Sequence, residues 1–282
     1  MSTKRVIEQN KELLTHLQGF LIYQDQAITT NQVHKVMKEG VPLLRAYTLL
    51  LKNYLDIQES WIDDYLPYMI QERKKEEYEK DPYYQNIRIP IKKLGKWRLG
   101  YEKYQAFQAF IYNDFVLGNQ GEVYPQIGFF SKPFTYPAVY ENNVLWMSVT
   151  PNEIETMKKP IQEAKGKVLT FGLGLGYYAY MTALKEEVES VTIVEKDDNV
   201  IQLFQSYILP QFPKPQKIQI IKDDAFTFII TLKDGSYDTL FIDIYHDAGD
   251  GISCYEKFSP YTKKYSLTRV FYWIEKTISY YL

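Results

Sequence analysis

KVLTFGLGLGYYAY, Lys167 to Tyr180, decides how the rest of the chain reads. Val168, Leu169 and Phe171 form a short apolar run of strand character. Three glycines follow at Gly172, Gly174 and Gly176, and then an aromatic and small-residue segment able to form a helix. A strand, a glycine turn and a helix make a cradle for a nucleotide-like ligand. Glycine takes backbone angles denied to other residues and has no side chain to hold a ligand away from the amides at the helix start.

Downstream of the turn, strand and helix patterns alternate. Residues 191–195 read as a strand, 198–207 as a helix, 218–222 as a strand, 226–232 as a helix and 237–243 (YDTLFID) as a strand. Such alternation predicts an α/β, Rossmann-like parallel sheet with flanking helices and right-handed crossovers. Only about 39 residues remain after that last strand. Within them Val270, Phe271, Trp273, Ile274, Thr277, Ile278 and Tyr281 fall at helical spacing, so RVFYWIEKTISYYL is expected to be a terminal helix. The sheet then lacks its last strands unless segments from residues 97–149 complete it.

Upstream, residues 1–95 read as a helical N-terminal region, with Leu13, Leu17, Phe20 and Leu21 on one face. Thr29 and Thr30 mark a helix start, Gly40 an end and Pro42 a restart, and another helix is expected over residues 63–80. Its mixed-charge stretch ERKKEEYEKD reads as a solvated face. Residues 96–150 change character: prolines and an Asn142-Asn143 turn between apolar runs predict strands and a hairpin in a small β-containing subdomain. The third part, residues 151–282, is the expected cofactor-binding domain. It opens with Thr150, Pro151 and Glu153 as a capping box, and Pro160 predicts a kink or two short helices before Gly166.

With 282 residues, 45% of them hydrophobic and 24% charged, the chain has a globular balance, and its length suits one large domain or two modest ones. A formal net charge of −2 provides no global basic field, which argues against nucleic acid and anionic membranes as partners and leaves a small-molecule substrate. A lone cysteine, Cys254, excludes an intramolecular disulfide and a multi-cysteine zinc site, so no metal centre is expected. The start MSTKRVIEQNKELL lacks the apolar core of a signal peptide, and no apolar run is long enough to span a bilayer. A cytoplasmic, soluble protein is expected, its oligomeric state open.

The acidic residues choose the ligand. Gly174, Gly176 and Ala179 fit the GxGxxA fingerprint of NAD enzymes, whereas Gly172, Gly174 and Gly176 as GxGxG resemble motif I of class I S-adenosylmethionine (SAM) dependent methyltransferases. Glu195 ends the second strand, where a carboxylate can accept both hydroxyls of a ribose. Asp223, Asp224 and Ala225 after the third strand resemble the methyltransferase motif that reads the adenine amino group. IDIYHDAGDG places Asp243, Tyr245, His246, Asp247 and Asp250 at the sheet's carboxyl edge.

Residues 166–250 together resemble the SAM-binding half of a class I methyltransferase, including its spermidine synthase-like branch. The resemblance implies SAM as cofactor, bound by Gly172, Gly174, Gly176, Glu195, Asp224, Ala225 and Asp243. Candidates for catalysis are Asp243, Tyr245, His246 and Asp247, with His246 the expected base because of its near-neutral reference pKa. Thr170 stands where the family commonly has an acidic residue, and the late strands are missing. Each acid has an ordinary alternative: Glu195 in a helix's first turn, Asp224 as a helix cap, Asp247 and Asp250 as turn residues. Aminopropyl transfer from decarboxylated SAM, or SAM binding without catalysis, are the competing readings. Methylation of DNA bases has less to recommend it, since no NPPY or DPPY segment is present.

Overall fold

The computed structural model describes residues 3–23 and 28–282; residues 1–2, at the start read for a signal peptide, and 24–27 lie outside that range. The chain begins with α1 (Thr3–Ile22), α2 (Thr30–Met37), α3 (Leu43–Leu55) and α4 (Ile62–Met69). Thr29 caps α2 as expected, in a full capping box with Gln32. There follow β1 (Ile70–Glu72), α5 (Lys75–Glu79), α6 (Pro82–Asn86), β2 (Lys92–Leu94), β3 (Trp97–Tyr104), β4 (Phe110–Leu117) and β5 (Val123–Phe129). The helix expected over residues 63–80 is therefore interrupted. Ile70 is buried and pairs in parallel register with Ile127, so a long-range strand contact overrides local helical preference.

Two compact units emerge. One comprises the chain up to Tyr78 together with Lys103–Thr135; the other comprises Glu79–Glu102 and Tyr136–Leu282. This division runs differently from the three-part expectation. In the first unit the helices share a core with a sheet of order β1-β5-β4. Leu13, Val33 and Leu51 meet Ile127 there, and Tyr47 stacks on Phe129 at 3.8 Å between ring centroids.

The second unit contains the candidate site. β6 (Phe134–Glu141) and β7 (Val144–Ser148) form an antiparallel hairpin, and Asn142 and Asn143 take φ of +50° and +67° at its turn, as that dipeptide predicted. The hairpin belongs to a four-stranded sheet of order β2-β3-β6-β7. Next comes α7 (Pro151–Glu163), with Thr150 at the N-cap position and Pro151 in the first turn. The expected capping box does not form: Thr150 makes no side-chain cap bond, and Glu153 turns inward, 8% exposed. Pro160 removes one helical donor without dividing the helix, which continues to Glu163.

The remaining elements are β8 (Gly166–Phe171), α8 (Tyr177–Leu184), β9 (Val188–Glu195), α9 (Asp198–Leu203), β10 (Ile218–Lys222), α10 (Ala225–Thr231), β11 (Thr239–Ile242), α11 (Ala248–Thr262), β12 (Arg269–Tyr272) and α12 (Glu275–Tyr281). Their strands make a five-stranded sheet of order β10-β9-β8-β11-β12, parallel throughout. Two expectations are corrected here. Residues 269–272 are a strand rather than the start of the terminal helix, and β12, not the 97–149 region, completes the sheet. The physical reason is the parallel pairing of Val270, Phe271 and Tyr272 with Leu240, Phe241 and Ile242, and Asp234 fixes the entry to β12 by accepting the backbone N–H groups of Ser266, Leu267 and Thr268. Those bonds, Ser266's first, hold its pKa down at about 2. Among the described residues no helix is long and apolar enough to cross a membrane.

Candidate active site

In the parallel sheet β9 and β10 extend to one side of β8, while β11 and β12 extend to the other. The strand order reverses at β8, and open α/β sheets bind ligands outside the carboxyl ends of the strands at such a reversal. The glycine turn lies there, with φ of +94° at Gly172, +50° at Gly174 and +74° at Gly176. Packing demands glycine as well. A Cβ on Gly172 would lie 2.0 Å from the Asp243 carbonyl oxygen, on Gly174 2.6 Å from Met147 Sδ, and on Gly176 2.4 Å from the Phe204 ring.

A cavity of about 300 Å³ opens beside the turn. Gly172, Leu173 and Gly174 line it with the ends of β9, β10 and β11, and Trp97, Trp146 and Met147 enclose it from the four-stranded sheet. Seven carboxyl-bearing residues and two lysines line it, and one of those lysines, Lys96, is already paired with Glu141 and Asp197. This lining favours a cationic ligand.

Glu195 ends β9 facing the cavity. Its Oε2 accepts from the Leu173 amide at 3.3 Å and its Oε1 from the Asp197 amide at 2.9 Å, so it ties the glycine turn to the neighbouring strand end. Burial raises its pKa and those backbone bonds oppose the rise. Asp224 lines the cavity while capping α10 through the amides of Phe226 (2.8 Å) and Thr227 (3.3 Å), with Ala225 buried behind it.

Asp243 follows β11 directly, and its amide bonds the Phe171 carbonyl at 3.1 Å. Tyr245 lines the cavity too, but its hydroxyl donates to the Trp273 carbonyl. His246 lies at the exposed side with Nδ1 3.1 Å from Asp250, its ring 4.0 Å from that of Trp146 in an edge arrangement. Asp247 lies off the cavity and forms a capping box with Asp250 at the start of α11. The structure thus brings Asp243, Tyr245 and His246 to the cavity with Gly172, Gly174, Glu195, Asp224 and Ala225, while Gly176 and Asp247 are not on its wall.

Glu153 is the residue that sequence reading missed. It reaches the same cavity from the first turn of α7, and among the described residues its buried Oε2 has no hydrogen-bond partner. Burial, and then the neighbouring Asp243, push its pKa up; burial pushes Asp243 up as well. A signal was present: Glu153 precedes Met157 by four residues and Pro160 by seven, which puts a carboxylate on the helix's buried stripe.

The site suits SAM on these grounds. A glycine turn approaches the cavity, carboxylates stand at the ends of the two strands beside it, and an acidic lining meets a sulfonium and an ammonium. No protein-family model matches the chain, and no curated protein does. Among solved structures it is similar to spermidine synthase from Thermotoga maritima (17% identity over 43% of this chain and 45% of that one, TM-score 0.31). It is also similar to a protein from Klebsiella pneumoniae assigned as an O-methyltransferase (18%, 34% and 43%, TM-score 0.27). A spermidine synthase in complex with the transition-state analogue AdoDATO matches at 16%, over 43% and 47%, with TM-score 0.33. The chain spans under half the length of these structures. By its own strand order and all-parallel sheet, the second unit has a Rossmann-like α/β fold.

Proposed function

We propose that the protein is a SAM-dependent methyltransferase acting on a small-molecule acceptor. The observation that carries this reading is the convergence of Glu195, Asp224 and Asp243, from the carboxyl ends of β9, β10 and β11, on one cavity beside the glycine turn. In this reading Gly172 and Gly174 let the ligand approach the backbone, Glu195 takes the ribose hydroxyls, and Asp224 with Ala225 takes the adenine end. Asp243 lies toward the reacting end. Bound SAM supplies an electrophilic methyl group on a positively charged sulfur. The chain's own task is then alignment of the acceptor and removal of its proton, for which Asp243 and His246 are the available groups.

Aminopropyl transfer is the second reading. What favours it is the four-stranded sheet ahead of the parallel sheet, which contributes Trp97, Trp146 and Met147 to the cavity wall. Calorimetry with SAM, S-adenosylhomocysteine, decarboxylated SAM and NAD side by side separates these readings. Preference for SAM and S-adenosylhomocysteine supports methyl transfer, preference for the decarboxylated form supports aminopropyl transfer, and binding of none overturns both.

A further inference from the structure

The glycines that let a ligand approach the turn also leave the turn with few side chains to hold its shape, because a residue flanked by glycines meets little steric constraint. Something outside the turn has to fix it. The peptide joining Leu175 to Gly176 is held at both ends. Its N–H donates to the Leu173 carbonyl at 2.8 Å, and its C=O accepts the Tyr83 hydroxyl at 2.6 Å. The first bond lies within the turn, whereas the second comes from α6, ninety-two residues earlier in the chain. Tyr83 and Leu175 belong to the same compact unit.

Tyr83 is fully buried, and its ring meets those of Tyr177 and Tyr180 edge-on, with 5.5 Å between centroids in each pair. Asp81 accepts the Tyr83 amide at 2.9 Å through Oδ1 and the Tyr177 hydroxyl at 3.0 Å through Oδ2, so one carboxyl group ties the start of α6 to the start of α8. The Tyr180 hydroxyl adds a bond to the Pro82 carbonyl at 3.2 Å. Loss of the Tyr83 hydroxyl would strand the carbonyl of Leu175, a fully buried residue, and a buried acceptor without a donor is costly. The turn recovers a donor by changing shape, and the cavity wall at Leu173 and Gly174 changes with it.

We propose that Tyr83 is a positioning residue: its hydroxyl sets the shape of the glycine turn and, through the turn, the affinity for the nucleoside ligand. The identity of that ligand rests on the SAM reading, whereas the fixing of the turn does not.

The test compares Tyr83→Phe with Tyr84→Phe in the full chain. Each removes one tyrosine hydroxyl from α6, but that of Tyr84 donates to the Val149 carbonyl at 2.5 Å, outside the turn. Calorimetry with S-adenosylhomocysteine should show affinity lowered about tenfold or more in Tyr83→Phe and within about twofold of native in Tyr84→Phe. Both are measured well below their thermal midpoints, where a loss of stability alone leaves the affinity of the folded chain unchanged. Native affinity in Tyr83→Phe overturns the proposal. So does an equal loss in both variants, which assigns the effect to α6 as a whole. Amide hydrogen exchange on the ligand-free chains is the second measurement: the Gly176 amide should exchange at least about tenfold faster in Tyr83→Phe and at the native rate in Tyr84→Phe. This separates the two failures. If the native chain binds neither SAM nor S-adenosylhomocysteine, the SAM reading fails, and the positioning role falls with it only if exchange at Gly176 is also unchanged in Tyr83→Phe. If Tyr83→Phe does not fold, Asp81→Ala, which frees the Tyr83 amide and the Tyr177 hydroxyl, must weaken S-adenosylhomocysteine binding and speed exchange at Gly176. Native values of both overturn the proposal.

Discussion

Glu153, in the first turn of α7, and Asp243, at the end of β11, present two carboxyls to one cavity, and neither has a cation among the groups that shift it. Both carboxyls are more readily protonated in the folded chain than in the unfolded one. Their contribution to stability is therefore fully present below the unfolded value near pH 4 and is lost as pH rises through the folded value, which for Asp243 is about 7. Tyr177, Tyr245 and Cys254, which one or other of the two carboxyls pushes up further, are raised chiefly by burial and stay neutral across that window, while Lys196 and His246 also line the cavity. Thermal unfolding followed from pH 8 to pH 5 should show rising stability, and Glu153→Gln should raise the midpoint at pH 8 and flatten the profile. A wild-type midpoint that falls over this range would contradict the assignment.

The glycines of the turn separate by what their missing side chains would meet. A Cβ at Gly172 strikes a backbone carbonyl, which cannot move without shifting the end of β11, whereas at Gly174 it strikes the flexible Met147 side chain. Gly174→Ala should cost about 1–2 kcal/mol, the strain of a left-handed residue. Gly172→Ala should cost about 1–3 kcal/mol more, the range for overpacking. Urea unfolding of the two variants measures the difference. Gly174→Val, which must displace Met147, should in addition abolish SAM binding while the first unit stays folded, and an unchanged SAM affinity would remove the turn from the ligand site.

Glu195 has two duties, and one substitution separates them. Gln keeps neutral acceptor capacity for the Leu173 amide, but loses charge and one of the two acceptor oxygens needed for a ribose diol. Glu195→Gln should weaken SAM binding on the order of 10-fold and Glu195→Ala on the order of 10- to 100-fold. Calorimetric affinities within twofold of the native chain would exclude Glu195 from the ligand site.

The glycine turn and the strands at 218–222 and near 191–195 were legible because their apolar runs are bounded by glycine or acidic residues and pair with sequence-adjacent neighbours. β12 was not legible. Val270, Phe271 and Tyr272 satisfy a helical stripe and a strand equally, and the choice is made by pairing with Leu240, Phe241 and Ile242 about thirty residues away. Ile70 was hidden for the same reason, its partner Ile127 lying in another part of the chain. At the site, Glu195 and Asp224 could be placed from strand ends, but Glu153 was concealed behind a plausible capping box. Capping satisfies Glu at N3 through the backbone, whereas here the side chain turns into the cavity.

Asp247 and His246 are adjacent in sequence but differ in their surroundings, so their substitutions should separate stability from catalysis. Asp247 accepts from the amides of Gly249 at 2.7 Å and Asp250 at 3.4 Å, and it lies off the cavity. Asp247→Ala should therefore cost about 0.5–2 kcal/mol through α11 and leave SAM affinity unchanged. His246 contributes little packing: its side chain is 42% exposed and touches Trp146 at the cavity's edge. His246→Ala should change stability by no more than about 0.5 kcal/mol, yet lower turnover by about 10²- to 10⁴-fold if the imidazole takes the acceptor's proton. Trp146 would lose the imidazole and keep only its edge contact with Trp97, so tryptophan fluorescence reports whether the wall has moved. A His246→Ala chain with native turnover and unchanged fluorescence removes His246 from the proton transfer and leaves Asp243 as the base of this reading.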